Sequence, residues 1–396
     1  MFKTSAALLT GLVLCGTVVW AQGFTVEEEA WLKAAQIGPY QPAVEDWDAI
    51  YEAAKAEGKV VIYSLSSRIF QVVDSFMAAY PGIQVEAYDM TDVEQVEKLI
   101  REQGAGIYNV DVVFLAGVTT LIKELLPQRR IWNYVPTTLL DGVRATEVIP
   151  LEFREPLLHH SLEAKVVFYN FETYPDGCPV DNLWDLTRPE WRGRIQMKDP
   201  SLTEENINFL QTIVQHANFM ATAYELEFGA PLVLSPGIPN AGYEWIKRMV
   251  DNQIVLTQSD GDASKAVGTP GQTNPPLTVS VSSSKIRDNA KGQKLAIGWD
   301  IVPVVGITKP NFMAIATRAP HPNAAKLLIR WMLGDAEGGA GYAPFYVQGQ
   351  WSPRTDMPPT LPEVTLDVLK ERTWFLDPDW IYEHGLEVQD FWLSIQ

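Results

Sequence analysis

A regular alternation of strand and helix patterns near the N-terminus constrains the fold more than any other feature of this sequence. The predicted elements are, in order, the strand Lys59–Tyr63, the helix Ile69–Tyr80, the strand Ile83–Tyr88, the helix Thr91–Gly104 and the strand Val110–Leu115. After its first residue the first strand is apolar throughout, as expected of a strand buried on both faces of a parallel sheet. Three strands joined by two helices predict half of a doubly wound α/β sheet.

The rest of the chain predicts a second lobe inserted into the first. A new strand pattern, Lys165–Asn170, opens this lobe, and its longest helix is expected at Glu204–Phe219. The apolar strands Trp299–Val305 and Phe312–Ala316 and the amphipathic helix Pro322–Leu333 are expected to return to the first lobe. Two crossings between the lobes predict a hinge. We assign a signal peptide to 1–21, a helical preamble to 22–57, lobe 1 to 58–155 plus 299–396, and lobe 2 to 156–298.

The first residues of the chain predict export. Lys3 precedes the apolar run Ala6–Trp20, and the small residues Val19 and Ala21 favour cleavage after Ala21. Cys15 ends a loose lipobox, so attachment of a lipid at Cys15 is the alternative. The apolar run is shorter than the roughly 20 residues that a membrane-spanning helix needs. We therefore expect a periplasmic protein.

Composition and motifs exclude several classes of function. The 396 residues carry a formal net charge of −18, which argues against a nucleic-acid partner because phosphate binding requires basic surface. The sequence contains neither G-x-S-x-G nor H-E-x-x-H, and it has no Walker loop and no G-x-G-x-x-G after a strand. Its five histidines, including His159 and His160, are too poorly spaced for a convincing metal cluster. We therefore predict a protein that is not an enzyme and that has no metal or other cofactor.

Candidate ligand-binding residues lie where the predicted strands end. They are Ser66, Ser67 and Arg68 after the first strand, Gly117 after the third, and Asp199 and Ser201 after a strand of the second lobe. Hydroxyl groups and the N–H groups at helix N-termini hold oxyanions and sugar hydroxyls by hydrogen bonds, and Arg68 could add a charge-assisted one. The alternative is that the serines only cap helices.

The segment Gln258–Asp262 carries two carboxylates, Asp260 and Asp262, separated by Gly261. Paired carboxylates could act as general acid and base, hold a cation, or accept hydrogen bonds from sugar hydroxyls. They could also belong to a solvated turn that caps a helix. The first possibility leaves a secreted hydrolase as the alternative from another class of function.

Several stretches carry a resemblance to a known family. The stretch Val180–Ser201 is similar to the signature "W-x-D-L…P-x-W/Y-x-G-R/K-I…D-P", and Glu57–Ser64, Tyr80–Val85, Ala319–Lys326 and the turn at 352–354 match further family motifs. Together they resemble the bacterial extracellular solute-binding proteins of ABC transporters, in the branch of iron(III)- and phosphorylated-sugar-binding receptors. The resemblance implies a two-lobed type II periplasmic-binding fold, with each lobe built on a doubly wound sheet.

The resemblance also implies a function and partners. It implies a monomer that captures a small solute in the cleft between the lobes and closes around it, because the ligand binds the closed form better than the open one. The closed receptor would deliver the solute to the permease of an ABC importer. A receptor that feeds a sensor kinase instead remains open.

The ligand class depends on one short segment. Iron-binding members of the family carry adjacent tyrosines shortly before an arginine, and the matching segment here, Thr278–Arg287, places Ser283 and Ser284 at those positions. Serine hydroxyls stay protonated and are poor ligands for iron(III), but they bind phosphate, carboxylate and sugars well. We therefore expect a polar or anionic organic solute, phosphorylated sugars included, with Ser283 and Ser284 in the cleft. A ferric ion bound together with an anion is the alternative.

Overall fold

The structure is a computed structural model that describes residues 23–396. The predicted signal peptide and Cys15 lie outside the described residues. Within residues 23–396, no helix is both long enough and apolar enough to cross a bilayer.

The described chain alternates helices and strands. The strands are β1 Lys59–Ser64, β2 Gln84–Asp89, β3 Val112–Leu115, β4 Ile131–Trp132, β5 Leu158–Val166, β6 Phe168–Asn170, β7 Ile195–Lys198, β8 Val255–Thr257, β9 Leu277–Thr278, β10 Val281–Ser282, β11 Leu295–Ile297, β12 Gly306–Ala316 and β13 Thr373–Trp374. The α-helices are α1 Val26–Ala35, α2 Trp47–Glu57, α3 Ile69–Ala79, α4 Asp92–Gly104, α5 Ala145–Val148, α6 Glu204–Gln215, α7 Ala217–Phe228, α8 Ala241–Asp251, α9 Asp260–Gly268, α10 Pro322–Leu333, α11 Gly339–Tyr342, α12 Leu366–Arg372 and α13 Pro378–Ser394. Shorter turns of 3₁₀-helix lie at Gly38–Tyr40, Leu151–Phe153, Leu183–Thr187, Pro189–Trp191, Pro200–Leu202, Ser283–Lys291 and Ala343–Phe345, and a π-helix at Thr120–Leu125.

The first lobe contains the β-α-β-α-β unit that the sequence predicts. Strand β1 lies between β2 and β3 and pairs in parallel with both. Helix α4 begins with a capping box, because the Glu94 N–H donates to the Thr91 hydroxyl at 3.3 Å and the Thr91 N–H donates to the Glu94 carboxylate at 2.8 Å. Such reciprocal bonds satisfy donors that a helix N-terminus otherwise leaves free.

Two long antiparallel strands, β5 and β12, connect the lobes. One end of their ladder pairs Met313 with Leu158 and continues to β3, whereas the other end pairs Ile307 with Lys165 and continues to β10. Gly306 allows close contact at the second-lobe end, because a Cβ there would lie 1.7 Å from the Lys165 carbonyl oxygen. The cleft therefore opens across a pair of strands that both lobes share.

The second lobe is built around the parallel sheet β8-β7-β9. Its core is aromatic, and the buried indoles find backbone partners: the Trp184 Nε1–H donates to the Met220 carbonyl at 2.8 Å and the Trp245 Nε1–H to the Leu183 carbonyl at 2.9 Å. Buried indole N–H groups usually have such a partner. Trp184 belongs to the motif stretch 180–201, which therefore holds this core together.

Two elements differ from the sequence prediction. The strand expected at Trp299–Val305 is wrong, since only Val302 forms an isolated bridge there and Pro303 has no N–H to donate to a ladder. The helix expected at Glu204–Phe219 is two helices, because His216 leaves helical geometry (φ −94°, ψ 31°) and stacks on Trp374 with ring centroids 4.2 Å apart. A helical pattern alone does not show such a tertiary contact.

The C-terminal helix α13 packs against α6 of the second lobe. The Gln211 side-chain amide donates to the Gly385 carbonyl at 3.0 Å, and Asp379 pairs with Lys123 of the helix Thr120–Leu125. The segment that the sequence assigned to lobe 1 thus ends on a helix of lobe 2 and contacts both lobes. If the cleft opens, α13 must either stay in contact with both lobes or lose its contacts with one of them.

Candidate ligand-binding cleft

A cavity of about 400 Å³ lies at the carboxyl end of β1, between the two lobes. Its volume is in the range of small-molecule sites. It is lined by Leu65, Ser66, Ser67, Arg68, Asp89, Phe114, Glu163, Lys198, Asp260, Ser282, Ser284, Lys285, Arg287, Lys309, Asn311, Phe345 and Gln350. Five of the nine residues proposed from the sequence are in this set, namely Ser66, Ser67, Arg68, Asp260 and Ser284.

The loop after β1 supplies the wall of the cavity on the first lobe. The Arg68 Nη1–H donates to the Gln350 Oε1 at 2.8 Å, and its guanidinium lies 5.9 Å from the centre of the Phe345 ring. Burial and the nearby Arg287 guanidinium lower the pKa of Arg68. Two guanidinium groups that repel one another in a partly dry cavity favour an anion between them.

The segment Ser282–Ser284 faces the cavity with alternate residues. The hydroxyls of Ser282 and Ser284 both donate to the Glu163 carboxylate, the second at 2.9 Å. The intervening Ser283 points the other way: its hydroxyl donates to the Gly349 carbonyl at 2.6 Å and accepts the Ala164 N–H at 2.9 Å. Ser283 therefore joins two backbone segments, and Ser282 takes the place in the cleft that the sequence assigned to Ser283.

Glu163 is a buried carboxylate on the shared strand β5. Burial acts to raise its pKa, but the Lys309 ammonium, the hydroxyls of Ser282 and Ser284, and Arg68 outweigh burial, so its pKa lies below the usual value. Glu163 is therefore ionised, and it holds both serine hydroxyls in fixed orientations.

Behind the cavity lies a network of buried charges. The Lys165 ammonium contacts Asp260 at 3.0 Å and Glu205 at 3.5 Å, and Lys309 contacts Glu205 at 3.1 Å. Burial acts to raise the pKa of Glu205, but Lys309, Lys165 and Lys198 lower it far below its usual value. For Lys309, burial acts to lower the pKa, and Glu205, Glu163 and Asp260 raise it well above the usual value. These charges neutralise one another.

The mouth of the cavity is different, because its cations lack acidic partners. Arg68 lies in the loop after β1, whereas Lys285 and Arg287 lie in the 3₁₀-helix Ser283–Lys291, and within residues 23–396 none of the three has a carboxylate oxygen within 4.0 Å. The whole lining carries five cationic side chains and three carboxylates. In a protein whose overall charge is strongly negative, such a local excess of cations favours the binding of an anion.

Four of the residues proposed from the sequence do not line this cavity. Besides Ser283, they are Gly117, which lines a second cavity, and Asp199 and Ser201. The Asp199 carboxylate accepts the Ser201 N–H at 2.8 Å, which is a local cap.

The aspartates Asp260 and Asp262 have different partners. Asp260 binds Lys165, whereas Asp262 accepts a hydrogen bond from the Ser259 hydroxyl at 2.7 Å on the surface. The geometry does not bring the two aspartates to one partner.

The second cavity, of about 680 Å³, adjoins the first and shares Leu65 and Lys309 with it. It lies between α4, the segment after β3 and the start of α6. Its walls are largely apolar, and its polar groups are mostly carboxylates, including Asp92 and Glu204.

A cluster of acidic side chains elsewhere in the second lobe is the only group of three His, Cys, Asp or Glu residues in 23–396 spaced closely enough to hold a metal ion. It consists of Asp181, Asp185 and Glu227, and Arg188 already pairs with two of them. None of the three lines the cleft.

Sequence reasoning missed several residues of the cleft. They are Ser282, Glu163, Lys198, Lys285, Arg287, Lys309 and Gln350, together with Lys165 behind the lining. A signal was present for Ser282, since it belongs to the serine run 282–284, but the change from strand to 3₁₀-helix after Ser282 decides which of the three hydroxyls face the cavity. No such signal was present for Glu163 and Lys309. Each lies within a strand, and the residues next to it in the sequence do not show which residues of the other lobe it faces.

Comparison with known proteins identifies the fold. Family models give no match to the sequence, and neither do curated proteins. Iron-bound HitA from Pseudomonas aeruginosa is similar in structure, with a TM-score of 0.64 and 14% identity over 85% of this chain and 99% of that chain. The apo ferric ion-binding protein A of Pasteurella haemolytica has a TM-score of 0.62 and 13% identity, over 85% of this chain and 98% of that chain. A substrate-binding protein of an ABC transporter from Agrobacterium tumefaciens has a TM-score of 0.59 and 14% identity, over 85% of this chain and 94% of that chain.

The chain therefore has the two-lobed α/β fold of the type II periplasmic binding proteins, and the predicted fold class is confirmed. At 13–14% identity this likeness shows the fold alone. The ligand must be argued from the cleft of this chain, since one fold hosts many binding specificities.

Proposed function

We propose that this protein is an extracytoplasmic receptor that captures a small organic anion between its lobes and delivers it to the permease of an ABC importer. The observation that carries the proposal is the set of cations at the cavity mouth, Arg68, Lys285 and Arg287, which have no carboxylate within 4.0 Å in the described chain. An anionic group placed among them would complete their pairing, and a guanidinium can hold it with two parallel hydrogen bonds.

The remaining lining supplies polar contacts to the rest of the solute. Ser66 and Ser67 offer hydroxyls from the first lobe, and Ser282 and Ser284, whose protons go to Glu163, offer oxygens that can accept hydrogen bonds from the solute. Because both lobes contribute contacts, the solute binds the closed form better than the open form, and it shifts the population toward closure. A permease that recognises the closed form would then accept only loaded receptor.

Two further features support this function. The proteins of similar structure are named as iron-binding proteins and as a substrate-binding protein of an ABC transporter, and none of these names describes an enzyme. The N-terminal sequence has the pattern of an export signal. We propose a periplasmic location on these grounds.

An organic anion suits the lining better than a bare ferric ion. The lining contains no tyrosine, and its carboxylates Glu163 and Asp260 already accept from serine hydroxyls and from Lys165. Hard cations require oxygen ligands that are free to coordinate. A ferric ion held through an accompanying anion remains the alternative ligand.

Native mass spectrometry of gently purified protein, followed by melting curves with sugar phosphates, carboxylates and ferric citrate, tests the proposal. A ligand at 100 times its Kd stabilises the native state by about 2.7 kcal/mol. We expect stabilisation by organic anions, and the double variant Arg68→Ala/Arg287→Ala should lose it. The matched control is Arg192→Ala, which removes an exposed arginine outside the cleft. Stabilisation by iron alone, or equal stabilisation of the double variant, would contradict the proposal.

A further inference from the structure

A carboxylate of the second lobe reaches across the cleft and binds the first lobe. The Glu204 Oε1 accepts the backbone N–H of Thr119 at 3.0 Å, and its Oε2 accepts the hydroxyl of Thr120 at 3.0 Å. Glu204 is the first residue of α6, whereas Thr119 and Thr120 begin the helix that follows β3. This contact lies in the second cavity, so Glu204 does not line the proposed anion site.

The helix Thr120–Leu125 has no cap from its own lobe. Thr119 occupies the N-cap position, but its side chain makes no capping hydrogen bond, and its hydroxyl is buried without a partner. Free N–H groups at a helix start need an acceptor, and a carboxylate is the strongest one available. Glu204 therefore caps a helix of the opposite lobe, and separation of the lobes would leave that helix uncapped.

Gly117 provides the space that this contact needs. A Cβ built at Gly117 would lie 2.9 Å from the Glu204 Oε2 and 3.6 Å from its carboxyl carbon. The sequence proposed Gly117 as a residue that lets a ligand approach the backbone. In the structure the group that approaches is the side chain of Glu204.

We propose that Glu204 is a latch: its hydrogen bonds to Thr119 and Thr120 stabilise the closed arrangement of the lobes and thereby set ligand affinity without touching the ligand. The proposal rests on the proposed function, in which closure traps the solute. Affinity falls in proportion to the fraction of receptor in the binding-competent closed form. Loss of the latch therefore weakens every ligand of the cleft by the same factor.

The test compares Glu204→Ala and Gly117→Ala with the control Glu225→Ala, which removes an exposed glutamate of the same lobe. Hydrogen exchange at the Thr119 amide and small-angle X-ray scattering report on closure without any ligand. For both latch variants we expect exchange about tenfold faster and a larger radius of gyration, because the cross-lobe bonds open more often. Glu225→Ala should match the wild type in both measurements.

The double variant separates a latch from two unrelated effects. If Gly117→Ala acts only by displacing the Glu204 carboxylate, then Glu204→Ala/Gly117→Ala should be no more open than Glu204→Ala alone, since residues that share one interaction are not additive. Additive effects, or unchanged exchange at Thr119 in either single variant, would overturn the proposal. If the wild type bound no anion in the melting curves, the proposed function would fail, but the two ligand-free measurements would still decide on the latch.

Discussion

The carboxyl group of Asp92 provides the sharpest test of the electrostatics of this cleft. Asp92 is the first residue of α4, its Oδ1 accepts the Ala116 N–H at 3.0 Å, and its side chain lines the second cavity. Burial raises its pKa most, the Ala116 N–H and Lys309 lower it, and Glu205 and Glu204 raise it further. The net result is a pKa of about 6, against 3.8 for an unperturbed aspartate.

The sign of the effect on stability follows from this pKa. Because the pKa is higher in the folded state, the folded protein holds the proton more tightly than the unfolded chain does. The stabilisation that comes from this tighter proton binding by Asp92 is present in full below about pH 4, and it is lost as the pH rises through about 6. Two pKa units correspond to about 3 kcal/mol, and partial exposure of the side chain reduces the expected effect to about 1–2 kcal/mol.

Asp92→Asn removes the ionisation and keeps the Oδ1 acceptor. We expect the variant to be as stable as the wild type at pH 4 and about 1–2 kcal/mol more stable at pH 8. For a chain of this length that is a rise in Tm of about 2 °C. Parallel thermal and urea unfolding at half-unit steps of pH would measure the difference, which should grow between about pH 4 and pH 6 and reach half of its full size near pH 5.

The matched control is Asp48→Asn, which changes an exposed aspartate in the first turn of α2. This control measures the effect of removing a negative charge near a helix N-terminus, where the charge interacts with the helix dipole, and both positions share that effect. A stability difference for Asp92→Asn that is constant between pH 4 and pH 8, or equal to that of Asp48→Asn, would refute the reasoning.

Four further substitutions test the roles assigned to buried polar residues. Ser283→Ala should destabilise the protein by about 1–3 kcal/mol in urea unfolding, because two buried hydrogen bonds are lost, whereas Ser284→Ala should cost about 1 kcal/mol, because it removes one hydrogen bond to the Glu163 carboxylate. Lys309→Met should cost about 3–5 kcal/mol, since it leaves the buried Glu205 with two more distant lysines; a change below 1 kcal/mol in unfolding would contradict this. Arg354→Ala should cost a similar amount in thermal unfolding, because the fully buried guanidinium binds Asp141, Asp356 and the Gly334 carbonyl.

The local elements were predictable because their signals lie within a few residues of one another. The capping box at Thr91 and Glu94, the helix Pro322–Leu333 and the apolar strand after Lys59 are each decided by short-range geometry and burial, and the structure contains all three. The prediction failed at Trp299–Val305, where an apolar run lies in irregular chain that packs without a ladder.

The sequence by itself determined the α/β class, the two crossings between lobes and a cleft lined by the serine and arginine residues that follow β1. Only the tertiary structure decided which charges meet. Lys309 and Glu205 are over 100 residues apart in the chain but 3.1 Å apart in space, and Glu204 reaches a helix of the other lobe. Local patterns report which face of an element is buried, but a pairing between distant charges depends on how the lobes pack, which no local pattern encodes.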